Sequence, residues 1–152
     1  MNQKKKHKKP TGLVYTKALA LCVIGFSTAV VKKQVFERVG MFDETFEACE
    51  DYDFWLRSTN KYEVKLIPES LTIKDGGRED QLSSSIWGLD RFRIKALEKM
   101  LESNDLTPKK IEATLEEFRK KCNIFAKGAK KRGKIKEATF YTNLSLNTLD
   151  KY

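Results

Sequence analysis

Six carboxylates, Asp43, Glu44, Glu47, Glu50, Asp51 and Asp53, fall between Gly40 and Arg57, interleaved with Phe42, Phe46, Tyr52, Phe54 and Trp55. Rings of this size are costly to bury beside charges unless those charges have partners or chemistry to perform. The pattern describes acid groups held against an aromatic wall, an arrangement suited to proton transfer more than to a solvated acidic face. Gly40 reads as the left-handed stop of a preceding helix. Residues 50–58 read as a short helix whose first turn is Glu50, Asp51 and Tyr52. Carboxylates in that turn sit at the positive end of the peptide dipoles, which favours their ionised form and suits a general base.

The spacing of Gly40, Phe42, Asp43, Glu44, Glu50, Asp51, Trp55 and Arg57 resembles the acceptor-side signature of family 2 glycosyltransferases, inverting enzymes of the GT-A fold. The likeness runs from about Pro10, through the Gly76-Gly77 loop, to the helix around Arg91. It implies an α/β chain, the C-terminal part of a Rossmann-like GT-A domain with few short strands, followed by an α-helical tail. It also implies a nucleotide-sugar donor and a sugar or lipid-linked acceptor. Asp51 would take the acceptor's proton, Glu50 would orient Asp51 or the acceptor, and Phe54 and Trp55 would back the substrate site. Gly76, Gly77 and Arg78 would approach the donor diphosphate, where similar enzymes often carry a histidine. Arginine cannot ligate a metal, but its planar fork neutralises phosphate. The divalent metal of such enzymes, Mg or Mn, would be held mainly by residues outside this chain. Asp51-Tyr52-Asp53 spells the family's metal motif but opens a helix, whereas the family's motif ends a hydrophobic strand, so no metal ligand is assigned. The strand that carries that motif belongs to a donor-binding half not found in these residues. The resemblance therefore implies an incomplete enzyme: a fragment, a remnant, or one half of a split enzyme completed by a separate donor-binding chain.

Asp53 and Arg57 are four residues apart on the same helix, so a surface ion pair accounts for both without catalysis. On the N-terminal side, Lys32 to Val39 reads as a short helix with Val35, Phe36 and Val39 on one face. Leu19 to Val31 is an apolar run of 13 residues, too few to span a bilayer, which takes about 20. A signal peptide is the minority reading, because Pro10, Gly12 and Lys17 separate the run from the basic start. A strand buried on both faces is expected instead. Lys61 to Leu66 alternates large apolar and polar residues and reads as a strand with one wet face, and Leu71 to Lys74 reads as another.

From Ser85 the periodicity is helical. Ile86, Leu89, Arg93, Ala96, Leu97 and Met100 trace one helix. Thr107 caps and Pro108 opens a second, carrying Ile111, Leu115, Phe118, Cys122 and Phe125, and Gly133 breaks it. A third follows from Lys134 with Ile135, Ala138, Tyr141 and Leu144 on a face. The division expected is a basic tail over 1–10, the partial transferase domain over 11–84 and a helical extension over 85–152.

The chain's 152 residues carry a formal charge of +9, unevenly spread. Gly40 to Leu82 holds 5 basic against 11 acidic residues, which leaves +15 on the remainder. Such a balance favours contact with something anionic, including peripheral contact with an anionic membrane at its inner face. The rival to catalysis is a basic helical module binding RNA or another anionic partner through Lys127, Lys130, Lys131, Arg132, Lys134 and Lys136. No RNA-stacking motif accompanies these lysines, so nucleic acid is not the expected partner. Cys22, Cys49 and Cys122 are odd in number and widely spaced, which suggests neither a disulfide framework nor a zinc site and favours the cytoplasm.

Overall fold

The computed structural model describes residues 9–73, 86–149 and 151–152. Among the described residues it holds six α-helices, one short 3-10 turn and no sheet. The helices are α1 (Tyr15–Ala20), α2 (Lys33–Val39), α3 (Glu50–Lys61), α4 (Asp90–Glu102), α5 (Pro108–Lys131) and α6 (Ile135–Leu149). They fall into two compact units, Met1–Trp87 and Gly88–Tyr152.

The expectation of an α/β domain, the C-terminal part of a Rossmann-like GT-A fold, is therefore overturned. A strand is stable only when a neighbour takes up its backbone groups, and among the described residues these segments find no more than one isolated bridge. Leu19 and Ala20 instead finish α1, Phe26–Thr28 forms the 3-10 turn, and Val30 is fully exposed rather than buried on both faces. Lys61 closes α3, and only Val64 of the segment read as a wet-faced strand pairs at all. It forms an isolated antiparallel bridge with Gly12 through backbone bonds of 2.7 and 2.9 Å. The Thr11 hydroxyl supports that bridge by donating to the Val64 carbonyl at 3.0 Å. Leu71 and Ile73 are exposed without regular structure, and Lys74 lies outside the described residues.

In the first unit α3 is the central element, which is why its apolar positions do not keep to one stripe. Tyr52, Phe54, Trp55, Leu56 and Thr59 are all buried. On one side the Tyr52 hydroxyl donates to the Leu19 carbonyl at the end of α1. On the other, Phe54 stacks on Phe36 of α2, with ring centroids 4.9 Å apart. Phe26 and Phe42 close over the same ring at 6.0 and 5.1 Å. Aromatic pairs of this kind contribute about 0.5–1.5 kcal/mol each beyond their buried area.

Gly40 stops α2 as expected, but with φ 83° and ψ 169°, a region open to glycine and not the left-handed helical one. A Cβ there would meet the Arg57 guanidinium at 3.7 Å, an ordinary contact, so backbone strain alone decides the outcome. Gly40→Ala is expected to cost about 1–3 kcal/mol, read as a fall in the urea midpoint at unchanged slope.

The second unit packs α5 against both α4 and α6. Thr107 occupies the position before α5 in extended conformation, but its side chain makes no cap hydrogen bond; Pro108 supplies the first-turn constraint. Gly133, at φ 73°, reverses the chain into α6. The expected face of α5 is the one buried, with Phe118, Cys122 and Phe125 inside and Phe125 against Tyr141 of α6 at 4.4 Å.

Burial, with the Glu98 charge adding to it, pushes the Cys122 thiol up from 9.0 to about 12. The unfolded chain then releases this proton first. The stability tied to the neutral thiol is whole below pH 9 and is lost as pH rises toward 12. Urea titrations at increasing pH are expected to show this alkaline fall, and Cys122→Ala to flatten it.

Candidate active site

Asp51 lies in the first turn of α3, half-buried, and its Oδ2 accepts a hydrogen bond from the Cys22 thiol at 3.3 Å. The same thiol approaches the Ile24 carbonyl at 3.1 Å, so the loop after α1 is fastened at the mouth of α3. Glu50 precedes Asp51, also half-buried, and neither forms an ion pair among the described residues. The residue before them, Cys49, adopts a left-handed conformation at φ 62° and provides no side-chain cap. The first amides of α3 are therefore left to other acceptors, which keeps positive potential at the acid pair.

Asp53 has a different role from the one its spacing suggests. The expected surface pair is an interior one: Asp53 is 0% exposed and Arg57 is mostly covered. Arg57 donates to the Asp53 carboxylate from Nε at 2.9 Å and from its NH2 nitrogen at 2.8 Å. Its remaining donors reach the carbonyls of Val39, Gly40 and Met41, the last at 2.9 Å. One guanidinium thus ties the end of α2 to the flank of α3. Asp43 is also structural, its Oδ1 accepting from the Thr45 amide at 3.0 Å and hydroxyl at 2.7 Å in a local turn.

Phe54 and Trp55 stand in the interior of the first unit, with Phe26 5.4 Å from the Trp55 ring. Their rings pack against Phe26, Phe36, Phe42 and each other, and Phe54, fully buried, presents no surface of its own. Gly76, Gly77 and Arg78 lie outside the described residues. A shallow surface hollow lined by Lys32, Lys33, Gln34 and Glu37 sits on α2 and not at Asp51.

The metal implied by the resemblance can be tested on these residues. Asp53, the second carboxylate of the Asp-x-Asp sequence, is committed to Arg57, so the two aspartates cannot share an ion as they stand. Among the described residues no group of three or more acidic, histidine or cysteine side chains is placed to hold one. Among the described residues, then, the two aspartates do not form a metal site.

Two features escaped the spacing argument. Cys22 lies 29 positions from Asp51, and nothing in a lone cysteine marks it as an aspartate's partner. Arg57 as a carbonyl clamp was foreshadowed only by the helix stop at Gly40. Comparison with models of protein families, with curated proteins and with solved structures finds no match.

Proposed function

We propose that this chain carries the acceptor-side, proton-abstracting residues of an inverting sugar transferase that uses a nucleotide-activated donor. One observation carries it. Of two aspartates two residues apart, Asp53 is consumed by Arg57, whereas Asp51 is half-exposed at a helix N-terminus and, among the described residues, held by one thiol. A carboxylate with one weak hydrogen bond and no ion pair among the described residues retains lone pairs for an acceptor hydroxyl.

In the proposed reaction the acceptor oxygen attacks the anomeric carbon as Asp51 takes its proton. The bond to the diphosphate breaks, and the nucleoside diphosphate leaves with the electron pair. Glu50 hydrogen-bonds the acceptor, and the donor is bound by residues other than those described, or by a separate chain. The test is transfer from a panel of labelled nucleotide-sugars by the full chain together with whatever polypeptide copurifies with it. Loss of transfer in Asp51→Asn supports the assignment; undiminished transfer removes it.

A further inference from the structure

The second unit carries a feature that sugar transfer does not use. Lys127, Lys130 and Lys131 at the end of α5, Arg132 and Lys134 in the turn, and Lys136 at the start of α6 are all exposed. Helix stability explains only part of this. Cations in the last turn of α5 complement its dipole, but Lys134 and Lys136 stand at the positive end of α6, where a like charge is unfavourable. Glu137 offsets one of them, pairing with Lys134 at 3.7 Å. Lys127, Lys130, Lys131 and Lys136 have no acid partner among the described residues.

Large apolar side chains are exposed among these cations. Ile135, between Lys134 and Lys136, is 56% exposed. Ile124, on the same face of α5 as Lys127 and Lys131, is 54% exposed. Phe140, one turn beyond Lys136, is 59% exposed. We propose that this basic hairpin end, studded with Ile124, Ile135 and Phe140, is a docking surface for an anionic phospholipid membrane.

The chemistry favours lipid over RNA. Five of the six cations are lysines, point charges that suit a diffuse layer of headgroups. The one arginine turns back on its own helix, donating to the Gly128 carbonyl at 2.9 Å. Exposed isoleucines add nothing to base stacking, but they gain free energy on entering the boundary between headgroups and acyl chains. No helix among the described residues is long and apolar enough to cross a membrane, so the contact is peripheral.

The test is cosedimentation of the full chain with phosphatidylcholine vesicles, with and without phosphatidylserine. Retention is expected only with phosphatidylserine, and it weakens as salt rises. Lys127→Gln with Lys131→Gln should lower affinity by about five-fold per charge removed. Lys130→Gln with Lys136→Gln, on other exposed positions, repeats the test should the first pair disturb α5. Ile135→Ser should lower the part of binding that survives high salt. Equal retention of both lysine pairs would overturn the proposal and assign binding to another part of the chain. So would absence of retention on phosphatidylserine, or tighter binding to single-stranded RNA than to vesicles of equal phosphate content. None of these readouts depends on sugar transfer, so the two proposals fail separately.

Discussion

Arg57→Ala is expected to destabilise the first unit by about 3–5 kcal/mol, a large fraction of what holds a unit of this size together. The Asp53 carboxylate is wholly buried and takes two charge-assisted bonds from the guanidinium. Removing the cation strands that charge in a medium that solvates it poorly. The Val39, Gly40 and Met41 carbonyls lose their donor in the same step, loosening the end of α2 from α3. Urea unfolding followed by circular dichroism and tryptophan emission measures the loss. Arg57→Lys should fall between, because an ammonium cannot reproduce the fork that spans carboxylate and carbonyls. Replacing both partners by apolar residues, Asp53→Leu with Arg57→Met, should recover much of the loss, since no unpaired charge then remains. A cost of only a few tenths of a kcal/mol for Arg57→Ala would mean the pair behaves as an ordinary exposed one.

That contrast shows what the sequence could and could not disclose. A spacing of four residues brings Asp53 and Arg57 together on any helix, but the same pattern serves an exposed pair and an interior one. The covered position of Arg57 comes with its bonds to the chain around Gly40 and its place over the Phe54 ring, none of which the pair's own spacing mentions. The helices were legible where local chemistry marks their ends. Glycine stops α2, acids open α3, and proline opens α5. The strands were not, because a strand is defined by its neighbour. The run from Leu19 to Val31 and the alternation around Val64 have the composition of strands, but among the described residues the first finds no strand partner and the second finds only Gly12, at Val64. Periodicity reports which face a residue prefers, and it is silent on whether a partner edge exists. The same limit hid Cys22, whose tie to Asp51 comes from the path of the loop after α1 and not from any motif.

The two units also differ in how they handle charge. In the first, two aspartates are taken up by the fold, Asp43 into a turn and Asp53 onto Arg57, while Asp51 accepts one weak bond from a thiol among the described residues. In the second, the cations at the end of α5 are left in solvent while carboxylates such as Glu117 neutralise Lys120 and the largely buried Lys121. A protein that can pair a lysine inside its helical packing leaves others bare at the hairpin end, which locates the surplus charge rather than merely counting it.

If the proposed reaction holds, Asp51→Asn should lower sugar transfer by about 10² to 10⁴, the range that a positioned base contributes, while leaving the unfolding curve unchanged. The structural half of this expectation follows from the one hydrogen bond the side chain makes among the described residues. The amide keeps an oxygen able to accept from the Cys22 thiol, so the loop after α1 stays fastened and α3 keeps its place. What the amide lacks is basicity. The hydroxyl proton then has nowhere to go as the oxygen attacks, and the barrier rises without any change in substrate binding. The loss should fall on kcat with KM little altered. Asp53→Asn should behave in the opposite way, weakening the hold of Arg57 and lowering stability whether or not transfer is assayed. If Asp51→Asn unfolds the chain, or if Asp53→Asn and Asp51→Asn lose transfer in equal measure through instability, the division of labour between the two aspartates is wrong. Cys22→Ser offers a finer check, because a hydroxyl preserves the donor and should preserve the rate, whereas Cys22→Ala frees the carboxylate to turn away.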